Sequence, residues 1–273
     1  MKFKAACLLI STSMLSGCGE DILDWRNVEV SNGLIYEKAS NTPFSGQVTN
    51  IPDEFIRSTD DIRSLFTTHY TLMGPIDSQE ALNMDNLVCG AGVEEGLLSG
   101  SVECFLPRSE TKRWEGSYEG GRPEGEFRIY SLNGEDIQAE YPFSNGLADG
   151  TSKFFGLNSN LIGEFNNNAG KGHGKQKQWD PQTGNLTYSA DMVNGKLDGV
   201  VRSWSPDGVL LVEAPMKNGL SHGVVTEWDP ETGQKIAETT MAEGVRNGPA
   251  AKWDTEGNRI RSGTYVENSW YPD

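Results

Sequence analysis

Cysteine and histidine are scarce in this chain, at four and three among 273 residues. The histidines, His69, His173 and His222, stand at no ligand spacing, so no metal site is expected. There is no phosphate-cradling loop and no plausible triad, so the sequence predicts no cofactor and no enzyme. Basic residues are in deficit, with 23 Lys and Arg against 39 Asp and Glu and a formal charge of −16. A chain this acidic repels phosphate backbones, which excludes nucleic acid as a partner. A basic protein partner, or simple solubility, suits the charge. A long apolar run is missing too: Ala5 to Leu15 is apolar or small but too short to span a bilayer.

That short run follows Lys2 and Lys4, the layout of a secretory signal. It closes with Leu15-Ser16-Gly17-Cys18, which resembles the lipobox of bacterial lipoproteins. The resemblance implies a signal peptide over 1–17, lipidation at Cys18 and a tether over 18–26. Several acyl chains together make an anchor effectively permanent. Gly19 is not the Asp that retains such proteins at the inner membrane of enteric bacteria, which implies an outer-membrane lipoprotein facing the periplasm. Cleavage would remove Lys2, Lys4 and no acid, leaving the chain more negative still. Cys7 would leave with the signal. Cys89 and Cys104 then remain, and in an oxidising compartment they are expected to pair.

What the sequence has in abundance is a repeat. Gly-x-x-x-Gly begins at Gly96, Gly121, Gly146, Gly170, Gly195, Gly219 and Gly244, in steps of 24 or 25 residues. Five residues after each second glycine stands a ring: Phe105, Tyr130, Phe155, Trp179, Trp204, Trp228 and Trp253. Only 9% of the chain is aromatic, so seven rings from seven chances is organisation, not composition. Links such as Asp180-Pro-Gln-Thr-Gly184 and Ser205-Pro-Asp-Gly208 then carry turn chemistry. The stretches between suit strands and are too short for helices.

Each unit is therefore expected to be one β-hairpin, with reversal inside Gly-x-x-x-Gly, and the units to form an elongated, mainly all-β antiparallel meander over 93–273. Equivalent rings fall two strands apart, about 9.6 Å at roughly 4.8 Å per strand. Tyr130, Phe155, Trp179, Trp204, Trp228 and Trp253 then form a ladder that either packs as core or is the binding face. Were it core, the opposite, acidic face with the phased Glu115, Glu140, Glu164, Glu213 and Glu238 is the expected contact surface.

These hairpin units resemble MORN repeats of the bacterial variant. Asn32-Gly33-Leu34-Ile35-Tyr36 and Asn41-Thr42-Pro43-Phe44-Ser45-Gly46 are similar to the opening of YwqK-type antitoxins, so 27–50 forms an N-terminal segment of the same kind. The resemblance implies a scaffold for a protein partner, such as a toxin or effector held by an immunity protein. The alternative is a structural lipoprotein that organises outer-membrane or peptidoglycan-associated assemblies.

Residues 51–92 interrupt the repeat. Ile62, Leu65, Phe66, His69, Tyr70 and Met73 have helical spacing, which predicts a small amphipathic helix covering the sheet's first edge. Gly219-Leu-Ser221-His-Gly223 matches a hydrolase nucleophile elbow, but it sits in phase with six other turns and reads as a turn. The aspartate loops lack the alternating acids of a calcium site.

Overall fold

A computed structural model describes residues 21–58, 60–73 and 86–273 and shows a mainly β chain. The expected signal peptide, the start of the tether and the lipidation site Cys18 lie outside the described residues. The described strands form one 21-stranded sheet and a separate two-stranded sheet. From Val88–Glu94 to Ser269–Pro272 the large sheet is an antiparallel meander in chain order. One pairing departs from this pattern. Ile22–Asp24 lies parallel to Gly46–Pro52, so the sheet is mixed. The small sheet pairs Val28–Ser31 with Leu34–Glu37 across an Asn32-Gly33 turn.

The chain reverses one step earlier than the repeat suggested. At the tips, Asn145 and Gly146, Asn194 and Gly195, and Asn218 and Gly219 all have positive φ. Two central residues at positive φ are what a two-residue type I′ hairpin turn requires, and Asn-Gly meets that at the lowest strain. The residues after the first glycine therefore already belong to the next strand. The second glycine is a strand irregularity: Gly199 has φ +129, and a Cβ there would sit 2.6 Å from that of Asp191. In three units it splits the strand in two, as between Lys196–Leu197 and Gly199–Trp204. Adjacent tips are tied in series. The Gly121 N–H donates to the Leu98 carbonyl at 2.8 Å, and Gly146, Gly170, Gly195, Gly219 and Gly244 do the same one unit on.

A second irregularity recurs just before every phased ring. The register shifts between Cys104 and Phe105, and likewise at Tyr130, Phe155, Trp179, Trp204, Trp228 and Trp253. One extra residue on the facing strand is left over each time: Arg113, Gln138, Ile162, Thr187, Leu211, Ile236 and Ile260. A repeated bulge turns each strand pair by the same amount and keeps the meander regular.

The insertion contributes two helices, α1 (Asp53–Ile56) and α2 (Asp60–Met73). It is the parallel strand Ile22–Asp24 that pairs along the sheet's first edge, with α1 touching its end through Phe55, 4.7 Å from the Trp25 ring. Instead α2 packs on one face of the first units: Phe66 meets the Trp114 ring edge-on at 5.8 Å, and His69 Nε2 faces Gln138 Oε1 at 3.3 Å. The amphipathic stripe explains the choice, since Ile62, Leu65, Phe66 and Met73 need apolar area that an edge lacks. Trp114, Phe127, Ile129, Ala139, Phe154 and Ile162 supply it and form the core with them.

Beyond Gln176 the burial stops. Among described residues after it, only Ala190, Ala237, Ala250 and Gly263 are buried. The bulged residues trace the same limit: Arg113, Gln138 and Ile162 are buried, whereas Ile260 is 65% exposed. The last hairpins are thus a single layer with water on both faces.

Cys89 and Cys104 sit directly opposite each other on neighbouring strands in this core, 4.1 Å apart at Cα, and are disulfide-bonded. The bond closes a 15-residue loop, worth about 3 kcal/mol in the chain-entropy account. The double variant Cys89→Ala/Cys104→Ala should lose about that much, measured as a lower urea midpoint at unchanged slope. An unchanged midpoint would refute the estimate.

Candidate binding face

Cross-strand partners point to the same side of a sheet and successive residues to opposite sides, so the register assigns every side chain to a face. Cys104, Ile129 and Phe154 lie on the helix-covered face, and the phased rings that follow them turn to the other. All seven rings are half-buried there. No two of them are in ring contact. The core contacts run instead through Phe66, Trp114, Phe127, Phe143, Tyr141, Phe154 and Phe165. The ladder formed by Tyr130, Phe155, Trp179, Trp204, Trp228 and Trp253 is therefore not the core.

The phased glutamates are on the ladder's own face, not the opposite one. Tyr130 donates its hydroxyl to Glu115 Oε1 at 2.6 Å. Lys235 pairs with Glu238 at 2.7 Å and lies over the Trp253 ring, 4.2 Å from its centre. Lys177 joins Glu164 at 3.4 Å and approaches Trp179 at 5.8 Å. Arg202 meets Glu213 at 2.7 Å, and Lys153 meets Glu140 at 3.9 Å. Lys112 bridges Glu103 and Glu115, and Arg128 pairs with Glu115 and Glu126. Each phased glutamate thus faces a cation on an adjacent strand or three residues away on its own. The expected acidic surface is instead a neutralised lattice of rings and ion pairs.

Its electrostatics follow from that lattice. Burial opposes ionisation of Glu115, but hydrogen bonds from Lys112 and Tyr130 outweigh it and hold the carboxyl below its usual range. Burial, with the hydrogen bond to Glu115, pushes the Tyr130 phenol up to about 12. Hydrogen bonds to Glu103 and Glu115 raise the Lys112 ammonium. Glu115 and Lys112 therefore both stay charged at neutral pH. Each exposed pair is worth only about 0–1 kcal/mol, so the array orders the surface more than it stabilises the fold.

Two further acids, Asp180 and Asp229, stand at the loop edge. Asp180 accepts from the N–H groups of Gln182 and Thr183, and Asp229 from those of Glu231 and Thr232, so both carboxylates close their own turns. Backbone bonds from Thr183 and Thr232 lower their pKa. Ser221 lies in the short strand Leu220–Ser221 with its hydroxyl 3.6 Å from Met216 Sδ and has no following helix. His173 and His222 are exposed, and no group of three metal-ligating residues forms among the described residues.

Two features of the site escape the repeat pattern: the cross-strand lysines and arginines, and the side on which the ladder lies. A signal for the second was present. The residue before each ring runs Cys104, Ile129, Phe154 and then Gln178, Ser203, Glu227 and Lys252, apolar only where a helix covers it.

Comparison with known protein families finds no match, and no curated protein matches either. Among solved structures, similarity is found to a mutant of S. aureus TarM in complex with fondaparinux, alpha-GlcNAc-glycerol and UDP. That match has 12% identity and a TM-score of 0.27 and covers 54% of this chain and 31% of that one. The chain therefore spans about a third of the matched protein's length. A likeness this slight defines no class beyond the β-meander already described.

Proposed function

We propose that this protein is a lipid-anchored, non-catalytic scaffold of the MORN-repeat kind that holds a protein partner in the bacterial cell envelope. An antitoxin or immunity role is its concrete form. The observation that supports it is the ladder face: seven rings in phase, half-exposed, with no helix over them among the described residues. Aromatic rings framed by fixed charges suit a protein contact, because rings supply most interface energy and ordered charges set the register. Internal ion pairing leaves a large surface nearly neutral, so shape and ring burial would dominate over charge attraction. The Cys18 anchor would keep this surface at the membrane where an incoming protein must pass.

Capture from detergent-solubilised membranes tests this. The wild-type chain should retain a partner that Trp204→Ala/Trp228→Ala weakens at least tenfold, and Cys18→Ser should release the chain from membranes. Sensitivity of a deletion strain to sibling cells should accompany this. Capture unaffected by the ladder variant, with no sensitivity on deletion, would defeat the binding face and favour a structural envelope role.

A further inference from the structure

The face opposite the ladder has a second use in the last hairpins. Past the helix it carries Val201, Ala214, Met216, Val225 and Met241, all half-buried and uncovered by any described element. A thin sheet with an apolar face in water is a surface that another layer completes. Its charges indicate which layer. On the ladder face the phased glutamates are paired, but here Glu227 and Lys252 are exposed and make no ion pair among the described residues. Glu227 is directly opposite Ala237 on one side, and Lys252 is directly opposite Ala237 on the other. Opposite charges thus stand one strand away on either side of one small residue.

We propose that a second copy of this chain covers this face, packed sheet against sheet about a two-fold axis running along the strand Lys235–Ala242 over Ala237. Such an axis lays the strand Gly223–Trp228 over the partner's strand that carries Lys252. Glu227 then faces the partner's Lys252, and the reciprocal pair forms by symmetry. The same operation sets Met216 against the partner's Tyr265, Val225 against the partner's Ala250, Ala214 against the Trp270 ring that lies over the partner's Gly263, and Val212 against the partner's Arg261. All but the last of these pairings are apolar, and the Arg261 guanidinium lies over its own Trp270 ring, 4.3 Å from the centre. Seven strands at about 4.8 Å, each about 20 Å long, give roughly 700 Å² per copy. That is close to the roughly 800 Å² per partner of a standard stable interface. The ladder face stays outward on both copies and free for its own partner.

Light scattering on the purified full chain at micromolar concentration should give twice the mass of one chain. Glu227→Lys should weaken association at least tenfold by setting lysine against lysine, and Lys252→Glu should do so by setting acid against acid. The double reversal Glu227→Lys/Lys252→Glu should restore the dimer. Both sites are exposed on strands, so circular dichroism should be unchanged throughout. A monomeric wild type, a dimer indifferent to both reversals, or no rescue by the double variant overturns the proposal. Partner capture on the ladder face is read separately, so either idea can fail alone.

Discussion

Truncating Phe154 to alanine should cost about 3–5 kcal/mol of folding stability, while truncating its neighbour Phe155 should cost about 1 kcal/mol. The two rings are adjacent in sequence and differ only in the face they take. Phe154 is fully buried, with Phe165 edge-on at 5.6 Å and Tyr141 at 6.4 Å, and a Cβ on Gly163 would lie 3.5 Å from its own. Its removal leaves a cavity between sheet and helix that close-packed neighbours cannot fill. Phe155 follows the bulge and is half-exposed on the ladder, so alanine there loses partial burial and opens no internal void. Urea denaturation of the two variants decides the matter. An equal loss, or a larger one at Phe155, would make the ladder the core and void the face assignment. A loss of 3–5 kcal/mol is also a large fraction of a typical domain's stability, so Phe154→Ala should populate unfolded chain at moderate temperature.

The second large effect is acid sensitivity at His69. This side chain is fully buried beneath α2, where burial drops its pKa to about 4 against the hydrogen bond to Gln138, with Arg113 acting in the same direction as burial. The imidazole is therefore neutral in the folded chain and protonates more readily once unfolded. Stability from this group is complete above about pH 6.5 and declines as pH falls towards 4. Two and a half pH units at about 1.4 kcal/mol each give a loss of roughly 3 kcal/mol across that window. The group contributes no further loss below it. Denaturant midpoints taken between pH 7.5 and 4 should show this slope, and His69→Met should flatten it. A variant with the wild-type slope would place the acid response elsewhere. Because His69 joins α2 to the sheet, the first structural consequence should be loosening of the helix, visible as faster amide exchange over Asp60–Met73.

Much of the fold was legible before any coordinate. A strict 24- to 25-residue period with glycines and a ring in phase admits little except stacked hairpins, since only that architecture returns each residue to the same place every two strands. The pairing of Cys89 with Cys104 was legible by elimination, as the two cysteines left once Cys7 and Cys18 are assigned to the expected signal and anchor. The position of reversal was less so, because Gly-x-x-x-Gly looks like one turn. The coordinates divide it into an Asn-Gly type tip and a separate bulge, and both demand glycine for the same reason of positive φ.

The faces were not legible from the phased rings. Alternation gives two sets of side chains but does not say which one meets water, and a bulge before each ring reverses any simple count. The glutamates shared this ambiguity. Most of their neutralising lysines and arginines meet them across strands, as Arg202 meets Glu213, while Lys112 and Lys235 stand three residues away on the same strand.

By itself, then, the sequence determined the repeat, the hairpin and the glycine positions, because each depends on local backbone chemistry or on spacing along the chain, and it left Cys89 and Cys104 as the disulfide partners by elimination. Only the tertiary structure decided where the core lies, where it ends, and which face carries the rings. Those depend on where one helix finds enough apolar area to bury its stripe, and such area exists only once Trp114, Ile129 and Phe154 have been assembled side by side.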